Sequence, residues 1–478
     1  MSRLQALTGL LLATLLLAAR ADAQENQTSA SPNVLVLHVD QWRAQAFGYA
    51  GDPNAYTPNL DRLAEESANL HLAVSGMPVC TPHRASLLTG QRPLTNGVFM
   101  NDVQLDPSAV TIAEVFAEEG YQTGYIGKWH VDGHGRLSFI PPGGRRQGFE
   151  YWKGNECTHD YNHSVYYAGE DSTRRIWDEY DTIAQTEDAQ AYLRDRANDG
   201  EPFFLMVGYG TPHAPYLTAP EKYQAMFDPA EIELRPNVPD SMAEQVRRDL
   251  AGYYAHAAAL DEMIGEVRQT LEETGLAENT IILFTSDHGD LLGSHGQYKK
   301  QQPYEESIRV PMLVYDPAEE GTRAGTYDAL MNSEDIMPTL LGLADVRVPE
   351  SVEGTDLSGY LRGATSEADS AAVILCIQPF GQWRRSVGGR EYRGLRTTRY
   401  TYTRSLDGPW QLFDNEADPY QLSNKIDDPA YADVRQSLDA LLQEKLDAQG
   451  DEFLPGPEYV ERYDYPPLDS TGTVPYYP

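Results

Sequence analysis

The sequence predicts an α/β protein: a large doubly wound mixed sheet flanked by helices, then a smaller C-terminal antiparallel sheet with one helix. Three observations carry this prediction. Short apolar runs alternate with helical patterns over most of the chain. Three of those runs end in polar clusters, where open α/β sheets hold their ligands. Beyond residue 370 the spacing tightens into strand after strand with no helix between.

Residues Asn33–Asp40 read Asn-Val-Leu-Val-Leu-His-Val-Asp, the near-continuous apolar run of a strand buried on both faces of a parallel sheet. Residues 57–64 open a helix, and residues 112–119 form another that Gly120 closes. Residues 121–127 are a second strand and deliver Lys128-Trp129-His130. Residues 186–198 are helical, and residues 203–209 form a third buried strand leading into Thr211-Pro212-His213-Ala214-Pro215. An apolar stripe at helical spacing runs over 244–274. A fourth strand, 280–286, ends at Asp287-His288-Gly289-Asp290, and 311–315 is a candidate fifth. Residues 371–377, 392–397 and 400–404 read as strands, followed by Trp410-Gln411-Leu412-Phe413 and an amphipathic helix over 431–449. The Pro- and Tyr-rich stretch 454–478 reads as extended.

The N-terminus has the pattern of an export signal. Arg3 precedes an apolar run over 7–19, and Ala21-Asp22-Ala23 is a small-x-small cleavage site. The expected mature chain starts at Gln24 and is periplasmic or secreted. The run is short for a membrane span, no later stretch is long and apolar enough, and no cysteine follows closely enough for a lipid anchor. A formal net charge of −35 argues against nucleic acid or an anionic membrane as partner. An acidic, lysine-poor surface is consistent with a salty habitat. With only seven lysines in the chain, one placed inside a motif is informative.

The chain's chemistry centres on Cys80-Thr81-Pro82-His83-Arg84-Ala85-Ser86-Leu87-Leu88-Thr89-Gly90. Pro82 suits the first turn of a helix, so Cys80 belongs at or just before its N-terminus, where free amides favour an anion. Arg84 adds a fixed cation with a bidentate fork. These residues describe an oxyanion site around a reactive cysteine; the competing reading is a buried structural thiol.

Cys-x-Pro-x-Arg followed by Leu-Thr-Gly resembles the signature of the type I, formylglycine-dependent sulfatases, of the alkaline-phosphatase-like superfamily. That resemblance covers most of the chain from Asn33 to about Asp418. It implies that a formylglycine-generating or anaerobic sulfatase-maturating enzyme converts Cys80 to formylglycine, whose hydrate is the nucleophile. It also implies one divalent cation held by Asp40, Gln41, Asp287 and His288 with residue 80. Oxygen ligands favour Ca²⁺, with Mg²⁺ or Mn²⁺ as alternatives. The family's commoner pattern is Asp-Asp and Asp-Asn, so Gln41 and His288 depart from it: Gln41 is either a ligand or a hydrogen-bonding residue behind the ligands, and His288 strengthens the case for Mn²⁺. Gly127-Lys128-Trp129-His130 resembles the family element in which the lysine binds sulfate oxygen and the histidine takes a proton from the diol. Thr211-Pro212-His213 matches the element whose histidine protonates the leaving oxygen. Lys300, chosen over Lys299 by its spacing to Tyr304-Glu305-Glu306, matches the second sulfate-binding lysine; His295 is read as structural.

The implied function is a secreted sulfatase acting on a sulfated polysaccharide or its oligosaccharides. The alternatives are a phosphodiesterase or phosphonate monoester hydrolase of the same superfamily, or a non-catalytic glycan-binding relative. The expected organisation is a signal peptide over 1–23, a catalytic α/β domain over 24–365 and a C-terminal α+β subdomain with an extended tail over 366–478. The insertion from Arg145 to His163 mixes cations, aromatics and histidines, which suits either sugar binding or simple packing. Cys157 and Cys376 could pair or remain separate thiols.

Overall fold

Strand β1 (Asn33–Asp40) lies at the centre of the large sheet and is buried along its whole length. Val34 and Val36 enter the core on one face, while Leu35, Leu37 and Val39 enter the core on the other. Two-sided burial explains why the run is apolar without alternation. β1 pairs in parallel with β7 (Phe203–Pro212) and with β8 (Thr280–Ser286). Beyond β7 lie β3 (Gln122–Lys128) and β4 (Tyr151–Asn155), also parallel, then the antiparallel β5 (Val165–Ala168) and β6 (Asp171–Ile176). Beyond β8 come the antiparallel β9 (Met312–Tyr315) and the short β2 (Ala68–Asn69) and β10 (Gly325–Thr326). The result is a ten-stranded mixed sheet in the order β10-β2-β9-β8-β1-β7-β3-β4-β5-β6. The computed structural model describes residues 31–318, 321–366 and 368–477, so the expected signal peptide over 1–23 lies outside the described residues.

Helices cover both faces. On one side pack α1 (Pro58–Glu66), α4 (Asp181–Asp199) and the long α5 (Ala243–Thr274). On the other lie α2 (Cys80–Thr89), α3 (Ile112–Glu118) and α6 (Ile336–Leu343). α3 opens with a Thr111–Glu114 capping box, and Gly90 closes α2 with φ 64°.

The C-terminal sheet is a meander of β11 (Ala371–Cys376), β12 (Tyr392–Thr397), β13 (Tyr400–Ser405) and β14 (Gly408–Asp414). Leu438, Leu442 and Leu446 of α7 (Ala432–Gln449) recur every four residues and bury one helical stripe. Leu395, Tyr402 and Leu412 of this sheet join the same apolar core as Leu87 and Leu88 of α2. Arg396 of β12 grips Glu305 through bonds of 2.7 and 3.0 Å, tying this sheet to the polypeptide just after Lys300.

Three elements depart from the sequence reading. The stretch 145–163, read as an insertion, carries β4, and β5 and β6 follow it, so the main sheet extends by three strands. α4 starts at Asp181, before its apolar stripe begins. Part of the supposedly extended tail forms α8 (Gly456–Arg462). Among the described residues all three cysteines are free thiols, and no helix is long and apolar enough to cross a membrane.

Candidate active site

Four elements deliver polar side chains to one buried spot. Cys80 is the first residue of α2, and its thiol is 1% exposed. β1 ends on Asp40 and turns at Gln41, which has φ 69°. β8 runs out into Asp287 and His288, both fully buried. β3 ends on Lys128, and His130 follows with φ 62°.

The ligand atoms of Asp40, Cys80, Asp287 and His288 all lie within 4.8 Å of one another. His288 Nε2 is 3.2 Å from Cys80 Sγ, 3.4 Å from Asp287 Oδ1 and 3.6 Å from Asp40 Oδ1. Its Nδ1 donates to the Gly289 carbonyl at 2.9 Å, so Nε2 presents a lone pair to the cluster. Burial, and then the neighbouring Asp40 charge, push the Asp287 carboxyl up to about 6. Two buried carboxylates, a thiol and an imidazole lone pair facing one point are a donor set that a divalent cation would relieve. Gln41 meets the cluster differently. Its amide donates to Asp290 Oδ2 at 2.6 Å, and its Oε1 accepts from Lys300 Nζ at 2.8 Å.

Cations line the same spot. Lys128 pairs with Asp40, and Lys300 Nζ sits 3.5 Å from Cys80 Sγ. Burial alone would raise Asp40, but Lys128, His213, Lys300 and His288 together hold it well below the usual carboxylate range. Burial and Asp40 likewise raise the Cys80 thiol, yet Lys128, Lys300 and His288 pull it well below its ordinary value. Arg84 bonds Asp287 Oδ2 at 3.3 Å and the Lys128 carbonyl at 2.8 Å, so it fixes the cluster from behind. No cysteine in apolar packing has such neighbours, and the structural-thiol reading fails for Cys80.

The two histidines flank this centre. His213 Nδ1 donates to the Ala214 carbonyl at 2.7 Å, which leaves the lone pair on Nε2. Tyr161 anchors that segment, donating to the His213 carbonyl at 2.8 Å. Burial, and then the charge of Lys300, hold His213 well below the usual imidazole value. His130 lies against Cys80; its Nε2 is 3.1 Å from Asp102 Oδ1, and its Nδ1 is buried without a partner. Burial lowers His130, but Cys157 and Asp102 outweigh it and raise the ring to about 10.

Four of the surrounding residues went unassigned in the sequence. Asp102 and Arg136 sit behind His130, joined by bonds of 3.0 and 2.8 Å. His159 stacks on His213 with centroids 4.4 Å apart, and Cys157 Sγ is 3.8 Å from His159 Nε2. Burial opposes a Cys157 charge, yet Lys128, His130 and His159 bring that thiol down to about 5. Arg145 instead pairs with Asp132, and Arg146 lies under Trp152, 4.9 Å from the ring centre, so this pair of arginines is spent on packing.

This assembly of thiol, carboxylates, lysines and histidines agrees with the comparisons. The sulfatase family model matches residues 32–346, about two thirds of the chain. The chain belongs to the sulfatase family. It is a sulfuric ester hydrolase on an alkaline-phosphatase-like fold. The model for the C-terminal part of N-sulphoglucosamine sulphohydrolase matches residues 293–448. An ulvan-active sulfatase of Formosa agariphila is 43% identical over 456 residues, 95% of this chain and 88% of that one. An endo-4-O-sulfatase of Bacteroides thetaiotaomicron is 31% identical, over 85% of this chain and 90% of its own. The crystal structure of yidJ from Bacteroides fragilis superposes with a TM-score of 0.81 at 27% identity, over 91% of this chain and 99% of that one.

Proposed function

We propose that this sulfatase is exported and removes sulfate from a sulfated polysaccharide of the ulvan kind, or from its oligosaccharides, using a formylglycine made from Cys80. The observation that carries the reading is Cys80 at a helix N-terminus, with Lys300 at 3.5 Å and His288 at 3.2 Å, behind a Cys-x-Pro-x-Arg signature. The polysaccharide is favoured by the 43% identity to an ulvan-active sulfatase along nearly the whole chain. Export rests on the apolar run ahead of Ala21-Asp22-Ala23. We read 24–365 as the catalytic domain and 366–478 as a subdomain that supports it by sharing its core.

Asp40, Asp287 and His288, with residue 80, would hold one divalent cation, and Gln41 would orient Lys300 beside them. That cation would supply charge neutralisation and lower the pKa of a hydroxyl on residue 80. Ca²⁺ and Mn²⁺ both fit two carboxylates plus one imidazole. A formylglycine there would supply, as its hydrate, one hydroxyl to attack sulfur and a second whose deprotonation expels sulfate. Lys128 and Lys300 bind the sulfate oxygens, whose negative charge otherwise repels a nucleophile. His213 gives its Nε2 proton to the departing sugar oxygen; kept neutral by burial and Lys300, it takes that proton up with the anionic substrate. His130 exchanges a proton with residue 80 when sulfate leaves.

The test is sulfate release from ulvan and other sulfated glycans by protein made beside a maturating enzyme. Mass spectrometry of the peptide spanning residue 80 should record loss of sulfur and gain of an aldehyde. Full activity with an unmodified thiol, or faster turnover of a matching phosphodiester than of the sulfate ester, would overturn the proposal.

A further inference from the structure

The wall behind His130 contains an arrangement that the sulfate-binding residues do not account for. Asp102 Oδ1 lies 3.1 Å from His130 Nε2. The same oxygen accepts from Arg136 Nε at 3.0 Å, and Oδ2 accepts from Arg136 Nη2 at 2.8 Å. The carboxylate is therefore clamped by a bidentate fork, and its free lone pair points at one ring nitrogen. The clamp is itself tied to the His130 segment. Leu105 N donates to the Val131 carbonyl at 2.9 Å, and Cys157 N donates to the Arg136 carbonyl at 3.0 Å. Asp102 and His130 both hold left-handed backbone, φ 65° and 62°, which side-chain-bearing residues seldom adopt. His130 Nδ1 is buried and has no hydrogen-bond partner.

We propose that Asp102 is the positioning residue for His130: its carboxylate accepts the Nε2–H, so Nδ1 is the ring atom that exchanges a proton at residue 80. This rests on the reading of His130 given above. In the neutral ring the Nε2 proton is held by Asp102, and Nδ1 carries the lone pair that takes up the proton. The same division of labour operates in the Ser-His-Asp triad, where a carboxylate fixes which nitrogen reacts. The step balances as follows. Nδ1 gains the proton of the hydroxyl that remains on residue 80 after sulfur transfer. The O–H electron pair becomes the second bond of the aldehyde, the carbon–oxygen bond to the sulfate group breaks, and sulfate departs with the electrons of that broken bond. Arg136 acts one layer further out by keeping the carboxylate turned toward the ring.

Asp102→Gly tests this best, because glycine accepts the left-handed backbone and removes the acceptor. With nitrophenyl sulfate, the variant should release phenol in the first turnover at a rate within about threefold of wild type, and release sulfate roughly a hundredfold more slowly. The peptide spanning residue 80 should then be trapped heavier by one SO₃, with KM little changed. Asp102→Asn tolerates the same backbone and keeps an oxygen facing Nε2, so it should recover most of the sulfate-release rate. Asp102→Gly slowing both steps alike, or leaving no trapped sulfate, overturns the proposal. So does Asp102→Asn as slow as Asp102→Gly, since charge rather than the acceptor would then be what acts. His130→Ala serves as reference. If it traps no sulfate, the role of His130 falls and this proposal with it; if it does and Asp102→Gly does not, only the positioning role falls.

Discussion

Replacing Glu156 with glutamine should make the protein's stability less sensitive to pH. Glu156 follows β4, and its Oε1 accepts from the backbone amides of Asp132 and Gly133, both at 2.9 Å. It thereby holds the turn that leaves His130. Its Oε2 is buried without a partner. Burial is the main reason the carboxyl rises from 4.5 to about 7; Asp132 adds to the rise, while His130 and the two amides oppose it. The sign follows from the proton balance. Below pH 4.5 the group is protonated whether folded or unfolded and contributes nothing. Between 4.5 and 7 only the folded form keeps the proton, so stability falls by about 1.4 kcal/mol per pH unit. Above pH 7 the loss levels off at about 3 kcal/mol. Glutamine retains the Oε1 acceptor and never ionises. The stability difference between Glu156→Gln and wild type should therefore move in favour of the variant by about 3 kcal/mol between pH 4.5 and 8, roughly 3–5 °C in Tm for a chain of this size. Paired thermal melts across that range measure it, since other titrating groups cancel in the difference. A Tm difference that stays flat with pH would refute the reasoning.

Three further outcomes follow from the site. Gly127 has φ 100°, and a Cβ there would run into the Gly208 carbonyl across the β3–β7 pair, so Gly127→Ala should cost about 3 kcal/mol or more in thermal unfolding and raise KM through Lys128. Asp287→Ala should lower bound metal more than tenfold by equilibrium dialysis, and chelation of the wild type should abolish activity; undiminished turnover in metal-free protein would contradict the donor set. His213→Ala should slow a sugar sulfate by about 10²–10⁴-fold and nitrophenyl sulfate by far less, because a good leaving group needs little protonation; equal losses on both would remove His213 from the acid role.

The parts legible in the sequence were those in which one residue type at one place has few explanations. A cysteine two residues before a helix-starting proline, and polar pairs directly after buried strands, marked Cys80, Asp40, Asp287 and Lys128. The spacing to Tyr304 picked Lys300, whose Nζ lies 3.5 Å from Cys80 Sγ. Less legible was β4, whose Tyr-Trp-Lys-Gly-Asn carries no β-branched residue and is a strand only because β3 offers it a free edge. Asp102 and Arg136 were hidden because their meaning lies in a contact between residues 34 positions apart. The only sequence hint was Asn101-Asp102 directly after the apolar Val98-Phe99-Met100. Gln41 shows the limit of reading by position: it stands where a ligand is expected, yet its side chain is engaged by Asp290 and Lys300.

The central place of β1 has a consequence in time. Asn33 meets Phe203, 170 positions later in the chain, and Thr280, 247 positions later. At about 5–20 residues per second, roughly 10–50 s separate the synthesis of this apolar strand from that of its second neighbour. Through that interval its backbone edges and both of its apolar faces stay open to other chains, a standing invitation to aggregation that low expression temperature or a holding chaperone would relieve. The same interval is the opportunity for chemistry on Cys80. Once the sheet has closed, Cys80 is 1% exposed and out of reach of an enzyme, so the formylglycine proposed above would have to be made before the sheet closes rather than on the finished protein.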